Sequence, residues 1–195
     1  MNNPFDHGYY GEIELREMGF ASVGDNVIIS KNAQIVGLQN IRIGNHVRID
    51  GWTNIIAAGK GSLTLGSYIH IGAYCHITGG GGVRMDDFSG LSQGVRIYSA
   101  SDDYSGESLT NPMTPGRFKT ENVGAVHLGR HVIVGSGTVI LPGVTIEEGS
   151  AVGAQALVTK SLPGWGLFAG APARRVRERS KRLLELEQEF LAAGS

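Results

Sequence analysis

Three side chains lie beside the longest irregular stretch of this chain and are suited to accept a proton: His76, Asp86 and Asp102. A neutral imidazole or a carboxylate takes a proton from a nucleophile when it lies within hydrogen-bond reach of it. The irregular stretch, residues 103–127, carries Tyr104, Thr110, Asn111, Pro112, Pro115, Arg117 and Lys119. Long loops in compact proteins are usually either functional or disordered, and this one interrupts an otherwise regular repeat. The stretch therefore reads as a substrate-facing segment in which Tyr104 and Asn111 bind substrate. The competing reading is an arm that contacts a second subunit, and the two are compatible. Asp is also a turn-making residue, which is the plainer account of Asp86 and Asp102. His70 and His76 stand six residues apart and raise the question of a metal pair. The one cysteine, Cys75, excludes an intrachain disulfide.

The elements that position these residues follow from an internal repeat. An aliphatic residue recurs every six positions, often followed by Gly: Val23, Ile29, Ile35; Ile43, Ile49, Ile55; Leu65, Ile71, Ile77; Met85, Leu91, Ile97; Leu128, Val134, Ile140; Ile146, Val152, Val158. The period slips only after the hexads that open at Ile35, Ile55, Ile77 and Ile97, by 2, 4, 2 and 25 residues. Each slip follows a third hexad. A triangular coil of three short strands requires that, with insertions admitted at one corner only. The repeat predicts about six such coils over residues 23–172, each aliphatic residue pointing inward and stacking on its equivalents. Gly at the second place is expected to supply backbone conformations that a Cβ penalises.

Corner positions follow. Asn40, Lys60, Gly82 and Asp102 share the insertion corner, with Asp86 just past it. Gln34, Asn54, His76 and Arg96 share the preceding edge, and His70 falls on the remaining one. His70 and His76 are thus kept apart, and no metal site is expected. Residues 1–22 are expected to cap the first coil, with a short helix over 5–19. Residues 173–195 are expected to form a C-terminal helix with Val176, Leu183, Leu186 and Phe190 on one stripe. Its basic first half (Arg174, Arg175, Arg177, Arg179, Lys181, Arg182) opposes the helix dipole, a cost that a bound anion relieves. Trp165 is expected to pack on the last coil and Cys75 to sit inert in the wall.

Composition narrows the function. Lys plus Arg is 17 and Asp plus Glu 18, so no general nucleic-acid surface is expected. No apolar run reaches the ~18 residues of a membrane span. The first ten residues lack the regions of a signal peptide, so a cytoplasmic location is expected.

The hexads, VGSGTVILPGVTIEEGSAVGAQALVTKS and FAGAPARRVRER together resemble the hexapeptide-repeat acyltransferases over residues 23–177. LSQGVRIYSASDDYSGESLTNP is similar, more narrowly, to the nucleotide-sugar N-acyltransferases that act on dTDP-4-amino-4,6-dideoxyglucose. The resemblance implies a left-handed parallel β-helix, a homotrimer with active sites between subunits, and acetyl-CoA or another acyl-CoA as co-substrate. It marks Ser136, Ala154, Thr159, Lys160, Arg174 and Arg177 for the donor. It also matches Thr78 to a position that contacts substrate, with His76 beside it. Sugar O-acetyltransferases of the family carry a catalytic His just before their long loop, and this chain has Asp102 there. A hydroxyl nucleophile needs a strong base, whereas an amine needs less help. That departure favours N-acylation of an amino sugar. The other readings are O-acetylation of a saccharide hydroxyl, a zinc enzyme of the γ-carbonic-anhydrase type, and a non-catalytic solenoid.

Overall fold

The structure, a computed structural model, describes residues 6–194. The chain forms a left-handed parallel β-helix with three flat faces. Face one stacks Ser22–Val23, Ile41–Ile43, Leu63–Leu65, Val83–Met85, Val126–Leu128 and Thr145–Ile146. Face two stacks Ile28–Ser30, Val47–Ile49, Ile69–Ile71, Gly90–Leu91, Ile133–Val134, Ala151–Val152 and Gly166–Ala169. Face three stacks Gln34–Val36, Asn54–Ile56, His76–Thr78, Arg96–Tyr98, Val139–Ile140 and Leu157–Val158.

The hexad-opening residues pair in register from coil to coil. On face one the series runs Val23, Ile43, Leu65, Met85, Leu128, Ile146. From Ile43 onward all are buried, and they form the spine of the core. Full burial of each aliphatic side chain contributes about 1.5–3 kcal/mol, so stability accumulates along the stack. All four slips fall where face three passes to face one. The 2, 4 and 2 extra residues widen that corner, and the 25 leave it as a loop.

The hexad glycines have a different reason from the one expected. Gly24, Gly44, Gly66, Gly129 and Gly135 do not adopt a left-handed conformation. Instead the next coil passes so close that a Cβ would collide with it; at Gly135 it would lie 2.5 Å from the Ala154 nitrogen. The left-handed positions come two residues later, at Asn26, His46, Tyr68, Tyr74, Phe88, His131 and Gln155 among others. Large side chains accept the strained backbone there because they stack. His46, Tyr68, Phe88 and His131 form a continuous ladder along the edge between faces one and two, with ring centroids 4.7, 4.6 and 5.2 Å apart.

Both ends differ from expectation. Of the N-terminal cap, residues 1–5 lie outside the described residues. Tyr9–Gly11 pairs antiparallel with Ile28–Ser30, and the helix is limited to Glu12–Glu17, which buries Leu15 under the first coil. At the other end no helix begins at 173. Arg174–Glu178 forms a strand antiparallel to Gly166–Ala169, because the last strand of face two presents unpaired backbone groups. The helix spans Arg182–Ala192. Most of the basic cluster therefore precedes it, and the dipole argument for a bound anion lapses. Val176 leaves the stripe. The helix instead docks on the ring ladder: Phe190 meets Tyr68 and Phe88 edge-on, and Glu187 accepts hydrogen bonds from Arg130 and His131. Trp165 lies flat over Gly149 with the Lys181 ammonium 5.3 Å from its ring centroid, a packing role as expected.

Candidate active site

The long loop begins as a ribbon. Ala100–Asp102 pairs antiparallel with Glu121–Val123. Between the ribbon and face three opens a cavity of about 710 Å³. Its walls include Asp102 and Tyr104 from the loop, Tyr98 and Val139 from face three, and Leu141, Pro142 and Thr159 from the turns of later coils. Asp102 and Tyr104, expected on the acceptor side, thus share one space with Thr159, expected on the donor side.

The ribbon also separates residues that the corner positions placed together. It carries Asp102 off the wall, away from the corner it was expected to share with Asp86. Asp86 accepts hydrogen bonds from Arg84 Nε at 2.6 Å and His127 Nε2 at 2.7 Å. Partial burial opposes its charge, but these two partners outweigh it and hold the carboxyl below its ordinary range. Asp86 lines a separate hollow with Arg84, Asp87 and Arg130. Its carboxylate is engaged in this surface network and does not line the large cavity.

His76 pairs in register with Asn54 and Arg96, as expected, and its ring centroid lies 5.6 Å from that of Tyr98. Desolvation, then the nearby Arg96 charge, lowers its pKa, so the ring is neutral at pH 7. It stands behind Tyr98 and is not part of the cavity wall. Thr78 pairs with Tyr98, and its hydroxyl donates to the Ile97 carbonyl at 3.4 Å. Asn111, in a left-handed turn, accepts the Met113 N–H at 3.0 Å and is not part of the wall either. Asp103 organises the start of the loop. Hydrogen bonds from the Ser105 hydroxyl and backbone, and then from Ser108, hold its carboxyl at about 2.

Of the expected donor residues, Ser136 donates to Gln93 Oε1 at 3.3 Å, Ala154 lies at the turn after Val152, and exposed Lys160 follows Thr159. Arg174 and Arg177 are exposed on the last strand. His70 and His76 occupy different faces. Among the described residues no group of three His, Cys, Asp or Glu side chains is placed to hold a metal ion. Two residues near these sites were missed. Tyr98 was recoverable as the outward position one coil beyond Thr78. Ser92 carried no signal in the hexad pattern; it lines a notch of about 300 Å³ with His70, Gly90, Leu91, Gln93 and Ile133.

Residues 125–160 match the bacterial transferase hexapeptide (six repeats) family. The dTDP-4-amino-4,6-dideoxy-D-glucose acyltransferase of Escherichia coli is 44% identical over 182 residues, 93% of this chain and 94% of that one. AntD, an N-acyltransferase from Bacillus cereus solved with dTDP and 3-hydroxybutyryl-CoA, superposes with a TM-score of 0.91 at 42% identity, over 96% of this chain and 98% of that chain. A serine variant of AntD, solved with dTDP-4-amino-4,6-dideoxyglucose and coenzyme A, gives a TM-score of 0.89 at 40% identity, over 96% and 99%. Further AntD structures carry substitutions of an aspartate ten residues beyond that serine. This chain belongs to the family of the dTDP-4-amino-4,6-dideoxy-D-glucose acyltransferase, within the hexapeptide-repeat acyltransferases.

Proposed function

We propose that the protein moves an acyl group from an acyl-CoA to the amine of a 4-amino-4,6-dideoxyhexose carried on dTDP, as a homotrimer with its sites between subunits. The observation that carries this reading is the cavity that joins Asp102 and Tyr104 to Thr159. Ser136, Ala154, Thr159, Lys160, Arg174 and Arg177 hold the donor, the cationic ones meeting its phosphates. The amine nitrogen attacks the thioester carbon, the carbon–sulfur bond breaks, and coenzyme A leaves as thiolate. Asp102 takes the proton that the nitrogen loses and returns it to the sulfur. Alignment of the two substrates supplies much of the acceleration.

The spacing of Ser92 and Asp102 supports shared sites. They form the only Ser–Asp pair ten apart in this chain, the spacing of the two residues varied in AntD. Within one chain they flank face three, with the strand Arg96–Tyr98 between them. One substrate meets both when Ser92 of one subunit faces the ribbon of the next. No helix among the described residues is long and apolar enough to cross a membrane. We place the reaction in the cytoplasm.

The direct test compares the dTDP-linked amino sugar with its 4-hydroxyl analogue, following thiol release from acetyl-CoA and 3-hydroxybutyryl-CoA. The amine is expected to react with a kcat/KM at least about 100-fold higher. Equal rates would assign the enzyme to O-acylation. Direct transfer also requires no cysteine. Cys75 is buried, and burial pushes its thiol up to about 11, so it stays protonated and unreactive at neutral pH. Incubation of the native protein with iodoacetamide at pH 7.5 is expected to leave Cys75 unlabelled by mass spectrometry and activity intact.

A further inference from the structure

The ribbon that carries Asp102 also ends there. Ala100–Asp102 pairs with Glu121–Val123, and the rung from Asp102 to Glu121 is its outermost. A two-stranded ribbon is marginally stable in water, and its terminal rung is the first to open. Asp102 and Tyr104 nevertheless share one cavity wall, so an interaction beyond the ribbon must hold them. The prism does not supply it. Among the described residues, the hydrogen bonds of residues 103–120 run within the loop or to its ribbon.

Asp103 lies between the two cavity residues in sequence and is not part of the wall. Both of its oxygens turn into the loop. Oδ1 accepts the Ser105 N–H at 2.8 Å and the Ser105 hydroxyl at 2.7 Å. Oδ2 accepts the Ser108 N–H at 3.0 Å and the Ser108 hydroxyl at 3.2 Å. The Ser108 hydroxyl in turn accepts the Thr120 N–H at 3.1 Å. Thr120 adjoins Glu121, the ribbon partner of Asp102. These links close a circuit. It runs along the chain from Asp102 to Asp103, through the carboxylate to Ser108, across to Thr120, and along the chain to Glu121, which pairs back with Asp102. One step farther out, the Leu109 N–H donates to the Phe118 carbonyl at 2.9 Å. The circuit takes the place of the rungs that the ribbon lacks.

A carboxylate suits that place. Four donors converge on it, and they hold it at about 2, so at neutral pH it is ionised and only accepts. Asn has the same shape, but its NH₂ would face donors where the second oxygen now accepts.

We infer that Asp103 is a positioning residue for acyl transfer, fixing where the Asp102 carboxylate stands by tying the outgoing limb of the loop to the returning one. This rests on Asp102 being the proton acceptor, as proposed above. Asp103 acts through the backbone of its neighbour and takes no proton itself. Misplacing a reacting group by about 1 Å can cost about 100-fold in rate.

The test compares Asp103→Ala, Ser108→Ala, their double variant and Asp102→Asn by thiol release with the dTDP-linked amino sugar. Asp103→Ala is expected to lower kcat by at least about 10-fold. Its KM for acyl-CoA should stay within about twofold of the parent's. Its melting temperature should stay within about 4 °C, because the residue lies outside the core. Amide hydrogen exchange should quicken over residues 103–120 and stay unchanged in the prism. Ser108→Ala, which cuts the link to Thr120, should show the same pattern. The double variant should be within about twofold of Asp103→Ala, because both changes break one circuit. Should Asp103→Ala fail to fold, Ser108→Ala decides with the same readouts. A smaller loss of kcat in Asp103→Ala overturns the inference, and the proton path stands if Asp102→Asn still loses its rate. A slow Asp103→Ala beside a parent-like Asp102→Asn overturns both, since Asp102 then has no role to be positioned for. Unchanged exchange in the loop, a larger loss in the double variant, weaker acyl-CoA binding or a lower melting temperature each overturns the inference, because Asp103 then acts apart from the circuit or only holds the fold.

Discussion

Asp102→Asn is expected to lower kcat/KM for the amino sugar by about 10²–10⁴-fold, the range lost when a positioned proton acceptor is removed. The amide has the shape of the carboxylate but cannot accept the proton that the attacking nitrogen releases. Its backbone pairing with Glu121 in the ribbon is untouched, so melting temperature and coenzyme A affinity should be those of the parent. Asp102→Glu should recover part of the rate, because it restores a carboxylate at a shifted position. His76→Ala is the comparison. His76 stands behind Tyr98 and its ring is neutral at pH 7, so its loss should cost less than about tenfold, through a loosened Tyr98. Thiol release with saturating acyl-CoA reads both. Asp102→Asn within about twofold of the parent would remove Asp102 from the proton path.

The contrast between Asp102 and Asp86 shows what the sequence could and could not convey about the site. Both fell near one corner by counting, and the count was right about the wall. The pairing of Gln34, Asn54, His76 and Arg96 on one edge held, because an inward aliphatic residue every six positions leaves a prism no other register. The period says nothing about a chain that leaves the prism. Once the ribbon Ala100–Asp102 pairs with Glu121–Val123, Asp102 belongs to the loop, and only long-range strand pairing decides where it points. Asp86 stayed on the wall and was engaged by Arg84, two residues away, and by His127, 41 residues away. The C-terminal helix was misplaced for a related reason. Its apolar spacing is compatible with a helix from 173, but the open edge of Gly166–Ala169 draws Arg174–Glu178 into a strand. The left-handed Tyr68, Tyr74 and Phe88 were also illegible locally. Each is disfavoured alone, and stacking across coils supplies the compensation.

The hexad glycine leads to the second large effect. Gly44→Ala is expected to destabilise the protein by about 1–3 kcal/mol, the cost of adding a methyl group where there is no room. The new Cβ would lie 2.6 Å from the Gly66 carbonyl oxygen, 2.7 Å from its carbon and 2.9 Å from Ser67 Oγ. Two of those contacts are backbone, so no side-chain rotation relieves them. The coils must part, and parting them stretches the bonds from Gly44 N to Leu65 O and from Asn45 N to Ser67 Oγ. At this chain length each kcal/mol lowers the melting temperature by about 2–4 °C. Gly90→Ala tests the explanation. Gly90 also lies in the wall with an ordinary backbone, but its Cβ would meet only the His70 carbonyl, at 3.4 Å. That substitution should be neutral or raise stability by up to about 1 kcal/mol, through a less flexible unfolded chain. If glycine were needed for backbone freedom, neither position would require it and both variants would melt alike. If the gap between coils is what selects glycine, Gly44→Ala melts lower and Gly90→Ala does not, and the repeat's most visible residue reports coil spacing and not turn conformation.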